Sequence, residues 1–195
     1  MVPMKSAHAN LQRGPFLIPI WLSAIGAFAA FIVALLAIWA MWVWFTANST
    51  TVIVIRHAEK ATVSEPDPPL SAAGEARAAL LAQMLGDTRG PGRLDAIYIS
   101  SALRNRMTAA PLAGRLGITP IVAPTDDPKG LVHRMLRENS GKRVMVIGHV
   151  NTVPEIVAAL SGRSDIPQLD EKDFGTMYIV TVPRIGHANL LRVTY

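Results

Sequence analysis

The chain has 195 residues, is half apolar and 17% charged, carries a formal net charge of +5 and contains no cysteine. Its mean hydropathy of +0.30 is too high for an ordinary soluble domain, and the excess has one source. No charged residue occurs in the 42 positions between Arg13 and Arg56, and 27 of the 30 residues from Phe16 to Phe45 are apolar. What remains is ordinary in composition and long enough to bury a full core. A disordered chain and a protein of many membrane spans are therefore excluded.

The first element in chain order is thus a hydrophobic segment. It exceeds the ~20 residues needed to cross a bilayer as a helix, and the 7–15-residue apolar core usual in cleaved signal peptides. All four tryptophans lie in it: Trp21 near one end, and Trp39, Trp42 and Trp44 near the other. That is the aromatic-belt pattern of a spanning helix. Lys5 and Arg13 precede it, and no acid occurs before Glu59. The positive-inside rule then puts residues 1–15 in the cytoplasm, a spanning helix over 16–45, and a domain over 46–195 outside. That places the domain in the periplasm if the source has two membranes. Secretion after signal cleavage is the alternative. The Asn48-Ser49-Thr50 sequon lies too close to the membrane to weigh.

All 14 acids and 17 of the 19 lysines and arginines follow residue 55, which leaves the outer domain near +3. No basic run with stacking aromatics occurs, so no nucleic-acid partner is expected. Thr51–Ile55 is a short β-branched run, the mark of a strand buried on both faces. A helix follows from Ser71, its N-cap, to Leu85. A second strand covers Ala96–Ile99, and a second helix Ser101–Leu116, with Pro111 expected to disrupt it. Then come a strand over Ile118–Ala123, a helix over Lys129–Asn139 and a buried strand at Val144–Ile147. The T-x-x-E spacing of Thr152 and Glu155 starts another helix, which runs to Leu160. Two last strands, Met177–Val182 and Leu190–Val193, are joined by a turn at Pro183–Gly186. Strands alternating with helices predict an α/β three-layer sandwich, with a mostly parallel central sheet and helices on both faces.

Two histidines occupy equivalent places in this plan. His57 directly follows the first strand, and His149 follows the Val144–Ile147 strand after Gly148. Ligands of open α/β sheets bind at the carboxyl ends of strands. Arg56 stands beside His57, and Arg104 falls in the first turn of the helix after the second strand. Two guanidiniums and two imidazoles on one rim make a site for a phosphoryl group.

Four ordered motifs carry a family resemblance. Arg56-His57-Ala58-Glu59 resembles the R-H-G/A-E signature of the histidine phosphatase (phosphoglycerate-mutase-like) superfamily. Leu70 to Ala78, with Ser71, Gly74 and Arg77, resembles its L-S-x-x-G-x-x-R-A stretch. Ser100 to Ala109, with Arg104 and Thr108, resembles S-x-x-x-R-x-x-x-T-A. Gly148-His149-Val150-Asn151-Thr152 resembles the second-histidine motif. The resemblance implies a phosphatase that works through a phosphohistidine on His57, with Arg56, Arg104 and His149 on the phosphate oxygens and no metal or other cofactor. Asn151 either contacts substrate or caps its helix. The proton donor is not legible: Glu59, and Asp127 in the loop before Pro128, are the candidates, and turn formation or capping is the competing role for Asp127. Substrates would be phosphorylated small molecules or envelope glycans or lipids. The alternatives are a mutase-type phosphotransferase and an inactive anion-binding module.

Overall fold

No proline occurs between Ile20 and Ala47, and these residues form one helix, α1. The structure is a computed structural model that describes residues 20–47, 49–88, 90–124 and 126–195. The expected tail at 1–15, with Lys5 and Arg13, lies outside the described residues, as do residues 16–19 of the expected span and Asn48 of the sequon. Two compact units are present, Met1–Trp42 and Val43–Tyr195. The stretch Ile25–Trp44 is 20 residues long with mean hydropathy 2.3, and each of its side chains is exposed. At 1.5 Å per residue it is about 30 Å long, the thickness of a bilayer's hydrocarbon core. It is long and apolar enough to cross a membrane.

The second unit is an α/β sandwich. Its elements are β1 (Thr50–Arg56), α2 (Ala72–Gly86), β2 (Ala96–Ile99), α3 (Leu103–Leu116), β3 (Ile121–Val122), α4 (Pro128–Glu138), β4 (Arg143–Gly148), α5 (Thr152–Ser161), β5 (Thr176–Val182) and β6 (Asn189–Thr194). Among the described residues one sheet holds six strands in the order β3-β2-β4-β1-β5-β6. The first four are parallel; β5 runs antiparallel to β1, and β6 antiparallel to β5.

The unbroken apolar runs of β1 and β4 have a physical cause. Alternate side chains point to opposite faces, and both faces are covered. Val52, Val54, Val144 and Val146 pack with Leu131 and Met135 of α4 and Val153, Ile156 and Val157 of α5. Ile53, Ile55, Met145 and Ile147 pack with Leu81 of α2 and Leu112 and Leu116 of α3. Each such side chain contributes roughly 1.5–3 kcal/mol by leaving water.

Two expectations need correction. The helix α3 runs unbroken through Pro111. Buried Ala109, Leu112, Ala113 and Leu116 hold it against the sheet and α2, which offsets the one backbone bond a proline removes. The strand expected over Ile118–Ala123 shrinks to Ile121–Val122. Pro120 cannot donate to a ladder, and the strand lies at the sheet's edge.

Candidate active site

The site begins with strand register. Arg56 of β1 lies opposite Gly148 of β4 in a parallel pair, so the next residue of each strand, His57 and His149, emerges on the same rim. The His57 N–H donates to the Gly148 carbonyl at 3.0 Å. The two ring centroids are 5.3 Å apart, with the rings inclined by 64°. A Cβ on Gly148 would lie 2.9 Å from Thr152 Oγ1 and 3.1 Å from Val153 Cγ2, so glycine lets α5 start tight against the strand end. Thr152 Oγ1 accepts from the His149 N–H at 2.9 Å.

Hydrogen bonds define the protonation of both imidazoles. His57 is buried, and its Nδ1 lies 2.8 Å from the Ala58 carbonyl. A carbonyl only accepts, so Nδ1 carries the proton and Nε2 is left with a free lone pair. Arg104 Nε donates to that Nε2 at 3.3 Å. Arg104 Nη2 lies 3.4 Å from His149 Nδ1, and His149 Nε2 lies 3.0 Å from Ser100 Oγ. A guanidinium only donates, so His149 Nδ1 also accepts and its Nε2 holds the proton. Burial lowers the pKa of His57 to about 4, with His149, Arg104 and Arg56 adding to the shift and the Ala58 carbonyl opposing it. His149 is lowered as well, by burial first and then by Arg104 and Arg56. Both rings are therefore neutral at pH 7.

The arginines differ in their support. Buried Arg56 uses Nη1 to donate to the carbonyls of Asp170 (3.1 Å), Glu171 (2.7 Å) and Asp173 (3.4 Å). Its guanidinium carbon lies 4.1 Å from the centroid of the Phe174 ring. Its buried Nε has no hydrogen-bond partner. Arg104 is tied to Asp67 through Nη1 at 3.3 Å, and Asp67 Oδ2 accepts the Leu103 N–H at 2.9 Å at the start of α3. One turn on, Thr108 Oγ1 donates to the Arg104 carbonyl at 2.7 Å and accepts the Ala58 N–H at 3.0 Å. That one hydroxyl joins the Arg104 helix to the His57 loop.

Arg56, His57, Arg104, His149 and Asn151 together line a cavity of about 370 Å³, with Lys60, Val150, Glu171 and Phe174. Asn151 stands at the N-cap position of α5 but makes no side-chain cap bond. Glu59 and Asp127 are not among the lining residues. The Glu59 carboxylate is gripped by Arg77, through Nε at 3.0 Å and Nη2 at 2.7 Å. Asp127 caps α4, accepting the Gly130 N–H at 2.9 Å. The acidic residue among the lining set is Glu171 instead. It arrives on the loop before β5, which reaches this rim because β5 runs antiparallel to β1. Neither Glu171 nor Phe174 sits in a recognisable motif, and only the direction of β5 would have pointed to them.

Residues 52–125 match the model of the Histidine phosphatase superfamily (branch 1), a stretch that holds Arg56, His57 and Arg104 and ends before His149. No curated protein matches the chain. Solved structures share the fold. The protein histidine phosphatase SixA complexed with tungstate aligns with 21% identity and a TM-score of 0.61, over 74% of this chain and 96% of that one. A mycobacterial glucosyl-3-phosphoglycerate phosphatase aligns with 14% identity and a TM-score of 0.59, over 73% and 97%. A phosphoserine phosphatase variant from Entamoeba histolytica, in complex with phosphoserine, aligns with 18% identity and a TM-score of 0.54, over 72% and 94%. The family match and the shared fold support the histidine phosphatase superfamily.

Proposed function

We propose that this chain is a membrane-anchored histidine phosphatase that hydrolyses phosphomonoesters or related phosphoryl groups through a phosphohistidine on His57. The observation that carries this reading is the state of His57. A buried imidazole with its proton fixed on Nδ1 presents a neutral Nε2 to a cavity lined by two guanidiniums. Nε2 attacks phosphorus while the bond to the leaving group breaks. The guanidiniums of Arg56 and Arg104 hold the equatorial oxygens and take up the developing charge. His149 gains a proton on Nδ1 as the dianion enters and becomes a further donor. Water then attacks the phosphohistidine and releases phosphate. The cationic side chains supply the charge neutralisation that a metal ion supplies elsewhere.

The anchor is the helix containing Ile25–Trp44. With Lys5 and Arg13 before it, the N-terminus is cytoplasmic and the catalytic unit extracytoplasmic. Substrates are then phosphorylated small molecules or envelope glycans.

Full-length protein in detergent, given an aryl phosphate with chelator present, tests the reading. Turnover that His57→Ala abolishes, with acid-labile and base-stable phosphate on the wild-type protein, is the expected result. Anion binding without turnover of any ester would establish the inactive module instead. Interconversion of phosphoglycerates faster than hydrolysis would establish the mutase.

A further inference from the structure

The end of the sheet opposite the cavity carries features the proposed chemistry does not use. Thr50 pairs with Val182, so the turn from Pro183 to Ala188 lies where the chain enters β1. The seven residues of β1 span about 20 Å, which separates this turn from His57 by the length of the strand. In the turn Ile185 is 71% exposed, more than any other large apolar side chain among the described residues. It is flanked by exposed Arg184 and His187. On the other side of β1, at the same end of the sheet, exposed Lys142 accepts the Thr51 N–H on its carbonyl at 3.0 Å, and Arg143 pairs with Thr51. A neighbouring carboxylate, Asp95, accepts the Arg143 N–H at 2.8 Å. Within the Val43–Tyr195 unit, the Arg184 guanidinium carbon lies 5.1 Å from the ring centroid of Trp44, the last residue of the apolar stretch.

Covalent geometry limits where this end can go. Only Asn48 and Ser49 lie between Ala47 of α1 and Thr50, a span of at most about 10 Å. We propose that the 183–188 turn is a membrane-contacting foot, with Ile185 entering the headgroup layer and Arg184, Lys142 and Arg143 facing the phosphates of anionic lipids. The proposal rests on the reading of α1 as a spanning helix. The charges fit: Arg184 stands next to the apolar tip, and Lys142 and Arg143 lie at the same end of the sheet across β1, the composition that binds an anionic interface. The far end of β1, with the His57 cavity, then faces the aqueous phase. Its substrates are water-borne groups rather than lipids of the supporting leaflet.

The chain has no cysteine, so single labels are clean. Full-length Ile185→Cys and Val63→Cys proteins, each carrying an environment-sensitive fluorophore, are reconstituted in vesicles of phosphatidylcholine with phosphatidylglycerol. Val63 is an exposed position on the loop after Lys60, at the cavity end. The expected result is headgroup-quencher sensitivity at least about threefold greater at 185 than at 63, lost in the Arg184→Glu/Lys142→Glu background. Equal quenching at both positions, or an unquenched 185 label on a chain that floats with the vesicles, overturns the foot and leaves the anchor standing. Chains that do not float with vesicles overturn both.

Discussion

Arg104 Nε donates to His57 Nε2 across 3.3 Å, onto the one imidazole nitrogen whose lone pair is not committed to a proton. In the resting site the arginine thus guards the atom proposed to attack phosphorus, and it must turn to the phosphate oxygens as substrate enters. Its other nitrogens face His149 and Asp67, so the planar fork is held from three sides. A lysine reproduces the charge but not the fork. Arg104→Lys is expected to lower kcat/KM by about 10²–10³-fold, the usual cost of losing an oriented transition-state donor. Steady-state kinetics on an aryl phosphate check this; a loss below tenfold would remove Arg104 from the chemistry.

The depressed pKa of His57 makes a pH prediction with a definite sign. It stands near 4 in the folded chain, against about 6.5 for an unperturbed histidine. Between those values the unfolded chain binds a proton that the native site refuses. Stability is therefore complete above pH 6.5 and falls as pH drops towards 4, by about 1.4 kcal/mol per unit from this residue. The lowered His149 acts in the same direction. Urea unfolding at pH 7 and pH 5 measures the loss, and NMR titration of the His57 ring locates the pKa. Arg104→Ala removes one of the cations that hold it down, so the titration should move upward in that variant.

Glu171 is the acidic residue among those that line the cavity, which makes it the candidate proton donor to a leaving group. A general acid matters in proportion to the basicity of the group expelled. Glu171→Gln is expected to cost about 10²-fold in kcat on an alkyl phosphate and less than about threefold on a nitrophenyl phosphate, whose leaving group needs no proton. Equal losses on both substrates would show that Glu171 only shapes the mouth of the cavity.

Much of this arrangement was legible because it is local. A strand apolar on both faces ends in Arg56-His57, and another ends in Gly148-His149; parallel pairing then brings the histidines together without further instruction. The long apolar helix α1 was legible for the same reason, since a run without charge speaks for itself. What sequence could not give was long-range choice among similar residues. Nothing near Glu59 in sequence claims its carboxylate, yet Arg77, eighteen positions on, holds both its oxygens. Asp127 took the capping role that its place before Pro128 equally allowed. The loop carrying Glu171 and Phe174 is not legible in sequence because its position depends on β5 running against β1, and nothing in the composition of β5 states its direction.

Gly74 carries the last prediction, and it shows how a motif glycine far from phosphate serves the site. A Cβ there would stand 2.2 Å from the Glu59 carbonyl oxygen and 3.0 Å from the Glu59 nitrogen. Both are backbone atoms that cannot swing away. The same carbonyl accepts the Ser71 N–H at 2.9 Å and lies 3.3 Å from the Ser71 hydroxyl, which in turn caps α2 through the Gly74 N–H. The first turn of α2 is thereby clamped to the residue two positions after His57. Gly74→Ala must push these segments apart and is expected to cost more than about 2 kcal/mol, a Tm lower by about 5–10 °C. Part of the activity should go with it, because the displaced loop carries the Ala58 carbonyl that fixes the His57 tautomer. A thermal melt and an aryl phosphate assay on the same preparation measure both effects, and an unchanged Tm would mean that α2 and the His57 loop are not clamped as described.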